Sequence, residues 1–136
     1  MQSAAVKSAG RAVLFLMALM LFSSCSDRKR DNPLDPENPR THGKPEGVAA
    51  VAIARSVQVS WSPLDLTDSH TVAIYRKSAA DASFREIGTV AGPEHRFTDQ
   101  GLQYGSAYAY YITVRVGSYE TPPSDIVEAT PGPTFT

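Results

Sequence analysis

One residue of this 136-residue chain combines a reactive thiol with an informative position: Cys25, its only cysteine. An unbroken apolar run, residues 12–22, lies before it, and two serines stand between the run and the cysteine. Basic residues near the start (Lys7 and Arg11), a short apolar run and small residues before a cleavage point are typical of an export signal. The run has eleven residues, fewer than the ~20 that a transmembrane helix needs. Residues 1–24 are therefore predicted to be a signal peptide.

The residues around this cysteine form a motif. The sequence LFSSC, residues 21–25, resembles the lipobox of bacterial lipoproteins, in which an apolar residue and two small residues precede the lipid-carrying cysteine. The resemblance implies a diacylglyceryl thioether on Cys25, cleavage before it and a further acyl chain on the new amino terminus, which together give stable anchoring. Ser26 stands where an inner-membrane retention signal would place aspartate, so the resemblance implies the outer membrane, facing the periplasm or the cell surface. An ordinary cleavage site with a free thiol is the alternative, although exported cysteines usually occur in pairs.

The segment that follows has a different composition. Residues 25–44 contain one leucine, no aromatic residue, many charges and regularly spaced prolines. So little apolar surface cannot offset the entropy of ordering the backbone, which predicts a disordered, proline-rich tether in extended polyproline II geometry. About twenty residues at about 3.1 Å each would hold a domain on the order of 60 Å from the membrane. Arg28, Lys29 and Arg30 are either solvated or attracted to anionic headgroups, at about 1 kcal/mol each.

Metal binding is not expected. Asp31, Asp35 and Glu37 alternate with prolines and asparagines, but the segment lacks the glycine turn and the bidentate glutamate of a calcium loop. A zinc site needs three or four converging ligands, and the histidines are scattered. The histidines are His42, His70 and His95.

Neither catalysis nor nucleic-acid binding is indicated by the sequence. The chain has no nucleophile elbow, no phosphate-binding glycine pattern and no pair of carboxylates placed for acid–base work. Residues 45–136 carry six basic and ten acidic residues, whereas binding to phosphates requires a basic face. We therefore expect no enzyme activity, no nucleic-acid partner and no cofactor other than the covalent lipid on Cys25.

Residues 45–131 show the pattern of a β-protein. Short runs alternate between apolar and polar residues and are separated by turn residues, which predicts half-buried strands. Seven strands are predicted, around residues 48–50, 57–61, 72–74, 87–90, 97, 108–114 and 127–129. This number of short strands without a helical stripe predicts one all-β, antiparallel, immunoglobulin-like sandwich followed by a short tail, residues 132–136.

Several of these stretches resemble the fibronectin type III family. SVQVSWSP is similar to the second strand of that family with its buried tryptophan, Trp61, and HTVAIYRKS to the third. FTDQGLQYGSAYAYYITV is similar to the turn into the sixth strand, where Leu102 closes the core and Tyr108 is the tyrosine-corner residue. Tyr110 shares the inward face with Tyr108. The resemblance covers residues 45–131 and implies a structural core built on these side chains, without a disulfide.

Three tyrosines are the candidate binding surface. Tyr75, Tyr111 and Tyr119 fall on the outward phase of strands or in a late loop, and tyrosine is enriched at interfaces. Cross-strand pairing on an ordinary sandwich is the alternative explanation. The loops 64–70, 79–83 and 117–125 are further candidates. The sequence thus predicts a membrane-anchored module that binds another envelope or extracellular protein; the alternative is a carbohydrate-contacting accessory module.

Overall fold

The computed structural model of the chain describes residues 32–38 and 41–133. The predicted signal peptide, the predicted lipid site at Cys25, the first part of the predicted tether and residues 134–136 lie outside the described residues. No helix in the described part of the chain is long and apolar enough to cross a membrane.

Eight antiparallel strands, arranged in two sheets, form the described sandwich. They are β1 (Ala49–Ile53), β2 (Ser56–Ser60), β3 (Thr71–Ser78), β4 (Arg85–Ala91), β5 (Arg96–Asp99), β6 (Tyr108–Val116), β7 (Tyr119–Glu120) and β8 (Val127–Ala129). The smaller sheet has the order β1-β2-β5, and the larger sheet has the order β4-β3-β6-β7. β8 also pairs with β6, so β7 and β8 follow one another along the same side of that strand.

The core lies between the two sheets because alternate residues of each strand face inward. Val57 and Val59 of β2 and Ile74, Ile112 and Val114 of the larger sheet are all fully buried. Each such side chain contributes about 1.5–3 kcal/mol through the apolar surface it removes from water. These inward positions are the apolar phase of the sequence pattern, and the all-β sandwich prediction is confirmed.

Each of the seven predicted strands is present, and one further strand was not predicted. β7 contains only Tyr119 and Glu120, and two residues are too few to show a period-two pattern. It forms the second arm of a tight hairpin with the end of β6. This small strand matters for the candidate site because it places the Glu120 side chain beside β6.

The residues that the fibronectin resemblance assigns to the core are all buried. Trp61 and Leu102 are each 4% exposed, Tyr108 is 7% exposed and Tyr110 is fully buried. The backbone N–H of Gln103 donates a 3.1 Å hydrogen bond to the Tyr108 hydroxyl oxygen. This bond ties the connection between the sheets to the start of β6, as a tyrosine corner does.

The second half of the predicted tether differs from the prediction. Residues 32–38 and 41–44, here called the cap, are folded against one end of the sandwich. Leu34 is 5% exposed and belongs to the hydrophobic core, and Thr41 is 3% exposed. The prediction of disorder over residues 25–44 therefore does not hold for the cap.

Consecutive β-turns explain why the cap is ordered. The Asp35 N–H donates to the Asn32 carbonyl at 3.1 Å, and the Asn38 N–H donates to the Asp35 carbonyl at 2.9 Å. Each turn begins with an Asn or Asp and has a proline, Pro33 or Pro36, at its second position, which is the residue preference of type I turns. The spacing of Pro33 and Pro36 thus reflects two successive turns rather than an extended helix.

The cap is closed at its carboxyl end by a glycine. Gly43 has a positive φ of 75°, and a Cβ on it would come within 3.1 Å of the Leu34 carbonyl oxygen and of Pro36. The Thr41 hydroxyl donates to the Pro33 carbonyl and accepts from the Gly43 N–H at 3.2 Å. Only glycine fits this crowded left-handed position without strain.

A polar cluster crosses the interior. Arg76 of β3 donates from Nη1 to both carboxylate oxygens of Asp99, at 3.0 and 2.9 Å. The Tyr110 hydroxyl donates to Asp99 Oδ2 at 2.9 Å. The side chains of Arg76 and Asp99 are only 17% and 9% exposed. Since Asp99 belongs to β5 of the smaller sheet, the cluster joins the two sheets through the core.

Alkaline pH is expected to destabilise the fold through Tyr110. Burial and the hydrogen bond to Asp99 raise the pKa of Tyr110 well above its ordinary value. Above about pH 10 the unfolded chain loses this proton while the folded chain keeps it, so the unfolding free energy falls by about 1.4 kcal/mol per pH unit. Urea denaturation of wild type and Tyr110→Phe between about pH 9 and pH 11 measures this contribution. Equal slopes against pH in the two proteins would contradict it.

Candidate binding surface

The side of the larger sheet that faces away from the core carries two of the three candidate tyrosines. Ile74 and Ile112 point into the core, so their neighbours Tyr75 and Tyr111 point outward. The two tyrosines are directly opposite each other in the pairing of β3 with β6. The outer surface around Tyr75, Tyr111 and Phe84 is called the tyrosine face below.

Three aromatic rings are packed together on the tyrosine face. The rings of Tyr75 and Tyr111 are stacked, with centroids 4.7 Å apart and planes 18° apart. Phe84, from the loop before β4, lies against Tyr111 with a centroid distance of 4.7 Å and a tilt of 54°. Tyr111 is thus in contact with two other rings, and the cluster is a packed apolar surface of the kind that aromatic pairs stabilise.

An ionic network fixes one edge of this cluster. Arg115 donates to Glu86 Oε2 at 2.7 Å and to the Tyr75 hydroxyl at 2.9 Å, and its Nε lies 3.2 Å from Glu120 Oε2. The hydroxyl of Tyr75 donates to Glu120 Oε1 at 3.0 Å, and that of Thr113 donates to the same oxygen at 2.6 Å. Four strands contribute to the network, so the position of the Tyr75 ring is set from several sides.

The protonation states of this network follow from the same contacts. The hydrogen bonds from Arg115 lower the pKa of Glu86, and those from Thr113 and Arg115 lower the pKa of Glu120. Burial raises the pKa of Tyr75. Both carboxylates are therefore ionised and the phenol is protonated at neutral pH, which gives the tyrosine face a fixed pattern of charges and donors.

A shallow groove continues the tyrosine face on the far side of Phe84. It has a volume of about 340 Å³ and is lined by Phe84, Ala109 and Ile126, with Lys77 and Glu128 among its polar lining residues. Ile126 is 58% exposed, which is unusual for a large apolar side chain. The groove therefore adds exposed apolar surface to the aromatic cluster, with one charge of each sign.

Tyr119 does not belong to the tyrosine face. It pairs with Val116 in the hairpin of β6 and β7, and Val116 is on the inward phase of β6. The Tyr119 side chain is 43% exposed. Together with Leu34 and Leu66, it lines a separate groove of about 480 Å³ at the end of the sandwich. The predicted surface of three tyrosines is thus divided between two places.

The three candidate loops also lie at different ends. β3 begins at Thr71 and ends at Ser78, so loop 64–70 and loop 79–83 lie at opposite ends of the sandwich. The first of these loops lines the same groove as the cap. Loop 117–125 contacts the cap through the ion pair of Lys44 with Asp125, whose atoms are 2.8 Å apart. Only loop 79–83 lies at the end away from the cap.

Sequence reasoning missed part of the tyrosine face. Phe84, Glu86, Glu120 and Ile126 are brought to it by strand register, which no local pattern reveals. The opposition of Tyr75 to Tyr111 required knowledge of the same register. Within residues 32–38 and 41–133, no three His, Cys, Asp or Glu side chains are placed so that they could hold a metal ion.

Solved structures with the same fold come from proteins of diverse function. The FN1–FN3 domains of chicken CNTN1 share 17% identity at a TM-score of 0.59, covering 66% of this chain and 31% of that chain. A β-1,2-glucanase from Parabacteroides distasonis shares 21% at 0.60, covering 68% and 13%. Pectate lyase Pel3 from Pectobacterium carotovorum shares 23% at 0.52, covering 63% and 26%.

These similarities define the class of the fold. The described residues form a fibronectin type III-like, immunoglobulin-like β-sandwich. This chain spans less than a third of the CNTN1 fragment and about an eighth of the glucanase, so the likeness concerns one domain of each. No protein-family model matches the sequence, and no curated protein matches it.

Proposed function

We propose that this protein is a non-enzymatic lipoprotein, anchored through Cys25, that presents its sandwich for protein–protein contact at the bacterial cell envelope. The anchor is supported by the lipobox-like sequence and by the export signal before it. The contact function is supported by the fold, which many binding modules share, and by the tyrosine face. One fold hosts many functions, so the tyrosine face rather than the fold supports this particular function.

The observation that carries the proposal is the pre-organised aromatic cluster of Tyr75, Tyr111 and Phe84. Binding surfaces lose affinity when flexible side chains must be ordered, and rigid rings avoid that cost. The network around Arg115 already holds the Tyr75 ring in place. Next to the cluster, the exposed Ile126 provides apolar surface that gains free energy when a partner covers it.

The charges of the tyrosine face favour a protein partner. Arg115 and Lys77 lie among three acids, Glu86, Glu120 and Glu128, and this mixture suits a polar interface rim around an apolar centre. This mixture of two basic and three acidic side chains has no excess of positive charge for a nucleic acid.

A carbohydrate-contacting role is the second candidate. Two of the similar structures are a β-1,2-glucanase and a pectate lyase, and this chain covers only 13% and 26% of them. The sandwich of this chain would correspond to an accessory domain in such proteins. However, sugar platforms need free ring faces, whereas Tyr75 stacks on Tyr111 and Tyr111 is also in contact with Phe84. The geometry therefore favours the protein-contact function.

The contact function predicts that Tyr111→Ala strongly reduces the capture of a partner. The intact protein would be used to capture detergent-solubilised envelope proteins, with amounts quantified by mass spectrometry. Loss of a central aromatic anchor is expected to weaken binding by ~30-fold, since such residues contribute at least about 2 kcal/mol. Thr98→Ala, on the exposed face of the smaller sheet, is the matched control and should leave capture unchanged.

A second variant protects this test from misfolding. Ile126→Glu changes a 58% exposed side chain and should also strongly reduce capture while leaving the denaturation curve nearly unchanged. Capture that survives both variants would contradict the protein-contact function at this surface. Saturable binding to a glycan array that is lost in Tyr75→Ala would instead support the carbohydrate alternative.

The anchor has its own test. Cys25→Ala is expected to release the protein from the membrane fraction, because the acyl chains are its proposed membrane attachment. Mass spectrometry of the wild-type amino terminus should find the lipid on the cysteine. A variant that stays with the membrane as wild type does would overturn the anchor without affecting the contact function.

A further inference from the structure

The position of the cap bears on how the domain stands at the membrane. In the sequence, residues 26–31 and then the cap stand between the proposed lipid site and the sandwich, and the cap is part of the folded body rather than a spacer. Its Leu34 side chain is in the core and its Thr41 is buried. A docked cap shortens the connection to residues 26–31, whereas a disordered tether over residues 25–44 would let the domain turn freely.

We infer that the cap holds the sandwich in a preferred orientation at the lipid surface. The end that carries loop 64–70 and the β6–β7 turn faces the membrane, and the end that carries loop 79–83 points away. This inference rests on the proposed lipid anchor at Cys25. Beyond the anchor itself, it specifies which end of the domain is turned to the lipid headgroups and which end remains open to partners.

The length of the chain between anchor and cap sets the geometry. Seven residue steps separate Cys25 from Asn32. A fully extended chain covers at most about 3.6 Å per residue, so Asn32 lies within about 25 Å of the lipid-bearing cysteine. That is less than half of the stand-off on the order of 60 Å that a fully disordered tether would permit.

The place where the chain enters the sandwich sets the direction. Asn32 and Pro33 line the groove of about 480 Å³ together with Asp68, Val116 and Tyr119. This groove is at the end of the sandwich where β3 begins and β6 ends. The end facing the lipid is therefore the one that contains Tyr119, because the short connection starts there.

Contacts along the whole cap oppose its rotation. Leu34 is inserted in the core at one end of the segment, and the Lys44 ammonium lies 2.8 Å from the Asp125 carboxylate at the other. The Ser62 N–H donates to the Glu46 carbonyl at 3.1 Å just beyond the cap. A segment held at several separated points cannot act as a swivel.

The charge of the connection suits this arrangement. Arg28, Lys29 and Arg30 all lie between the proposed lipid site and the cap. Basic residues close to anionic headgroups gain about 1 kcal/mol each, and they would draw the connection toward the lipid rather than away from it. The tyrosine face then lies on the flank of the domain, where a neighbouring envelope protein could reach it.

Energy transfer from two single labels to the lipid surface tests this inference. Ser118→Cys marks the exposed β6–β7 turn, and Ala80→Cys marks the exposed loop at the other end. Each introduced thiol is the only free one when Cys25 is acylated. The intact lipoprotein would be reconstituted in phosphatidylethanolamine–phosphatidylglycerol vesicles that contain an acceptor-labelled lipid. Strands of this length separate the two ends by about 30 Å, so transfer from Ser118 should exceed that from Ala80 ~threefold.

Two further variants of this chain identify the cause of the difference in energy transfer between the two labels. A flexible insertion of about twelve Gly and Ser residues between Asp31 and Asn32 leaves the cap docked but lengthens the connection by about 20 Å, and it should bring the two labels to nearly equal transfer. Leu34→Asp, which expels the cap from the core, should do the same. Rotational freedom of the domain would be the common result of both changes.

The outcomes separate this inference from the proposed anchor. Equal transfer from the two labels in a protein that floats with the vesicles would overturn the fixed orientation and leave the anchor intact. Stronger transfer from Ala80 than from Ser118 would overturn it equally. A chain that does not float with the vesicles would overturn the anchor and this inference with it.

Discussion

Asp99→Ala is expected to lower the free energy of unfolding by about 3–5 kcal/mol, the usual cost of removing one partner from a buried ion pair. The variant leaves the Arg76 guanidinium, 17% exposed, without its carboxylate, and it leaves the Tyr110 hydroxyl without its acceptor. Domains of this size are stable by roughly 5–15 kcal/mol, so the loss removes a large share of the total. Urea denaturation of the chain from Ser26 onward, followed by the fluorescence of the single buried Trp61, measures it.

A triple variant separates the cost of a broken pair from the value of the pair. Arg76→Met combined with Asp99→Leu and Tyr110→Phe removes all three polar groups of the cluster together. Replacing a buried ion pair by apolar residues of similar volume is often neutral or stabilising, so the triple variant should be more stable than Asp99→Ala alone. Asp65→Ala removes an exposed acid and should change stability by less than about 0.5 kcal/mol.

A small effect of Asp99→Ala would contradict the structural argument. Exposed ion pairs contribute about 0–1 kcal/mol, so a loss in that range would mean that water reaches the pair. The cluster would then not join the sheets. A triple variant that is less stable than Asp99→Ala would show that the polar network itself stabilises the sandwich.

The sandwich could be predicted from the sequence because each strand carries its own local signal. The alternation within one strand predicts its buried face without knowledge of the other strands, as for Val57 and Val59 or Ile112 and Val114. The polar cluster between the two sheets could not be predicted in this way. Arg76 and Asp99 are separated by 23 positions, and nothing local shows that two charged residues will meet between the sheets.

The candidate site was predicted only in part for the same reason. The outward phase of the strands predicts that Tyr75 and Tyr111 face solvent, but their stacking depends on the register between β3 and β6. Tyr119 lies in a predicted loop, and a loop has no regular alternation of inward and outward side chains that could show which face it belongs to. The turn at Gly117, whose φ is positive at 57°, reverses the chain and places Tyr119 opposite the inward Val116. A loop residue cannot be assigned to a face before the turn is known.

The composition of the cap is compatible with two structures, a disordered tether and a series of folded β-turns. Few apolar residues and many prolines are typical of a tether, and that reasoning holds for most such segments. Here, however, the prolines follow Asn32 and Asp35, which makes each pair the start of a β-turn. The single leucine of the segment, Leu34, is then enough to attach the folded turns to the core.

The cap therefore carries the second large prediction, for Leu34→Ala. Removing a buried leucine side chain costs about 2–5 kcal/mol, because the apolar contacts are lost and a cavity remains. The 5% exposure of Leu34 places it in this range, whereas a tether residue would cost nothing. The measurement is urea denaturation of the chain from Ser26 onward. Asp65→Ala, at an exposed position beside the cap, is the control for a change that leaves the core intact.

A matched pair of glycine variants tests the same docking without altering the core. Gly43 and Gly101 have similar positive φ values, 75° and 72°, but only Gly43 is crowded, by Leu34 and Pro36 at 3.1 Å. Alanine at either position strains the backbone by about 1 kcal/mol, and at Gly43 it also collides with the folded turns. Gly43→Ala should therefore be the more destabilising of the two. If Gly43→Ala and Leu34→Ala both leave the free energy of unfolding unchanged while Gly101→Ala lowers it, the cap does not fold onto the sandwich in solution. It then acts as the disordered tether that its composition suggested.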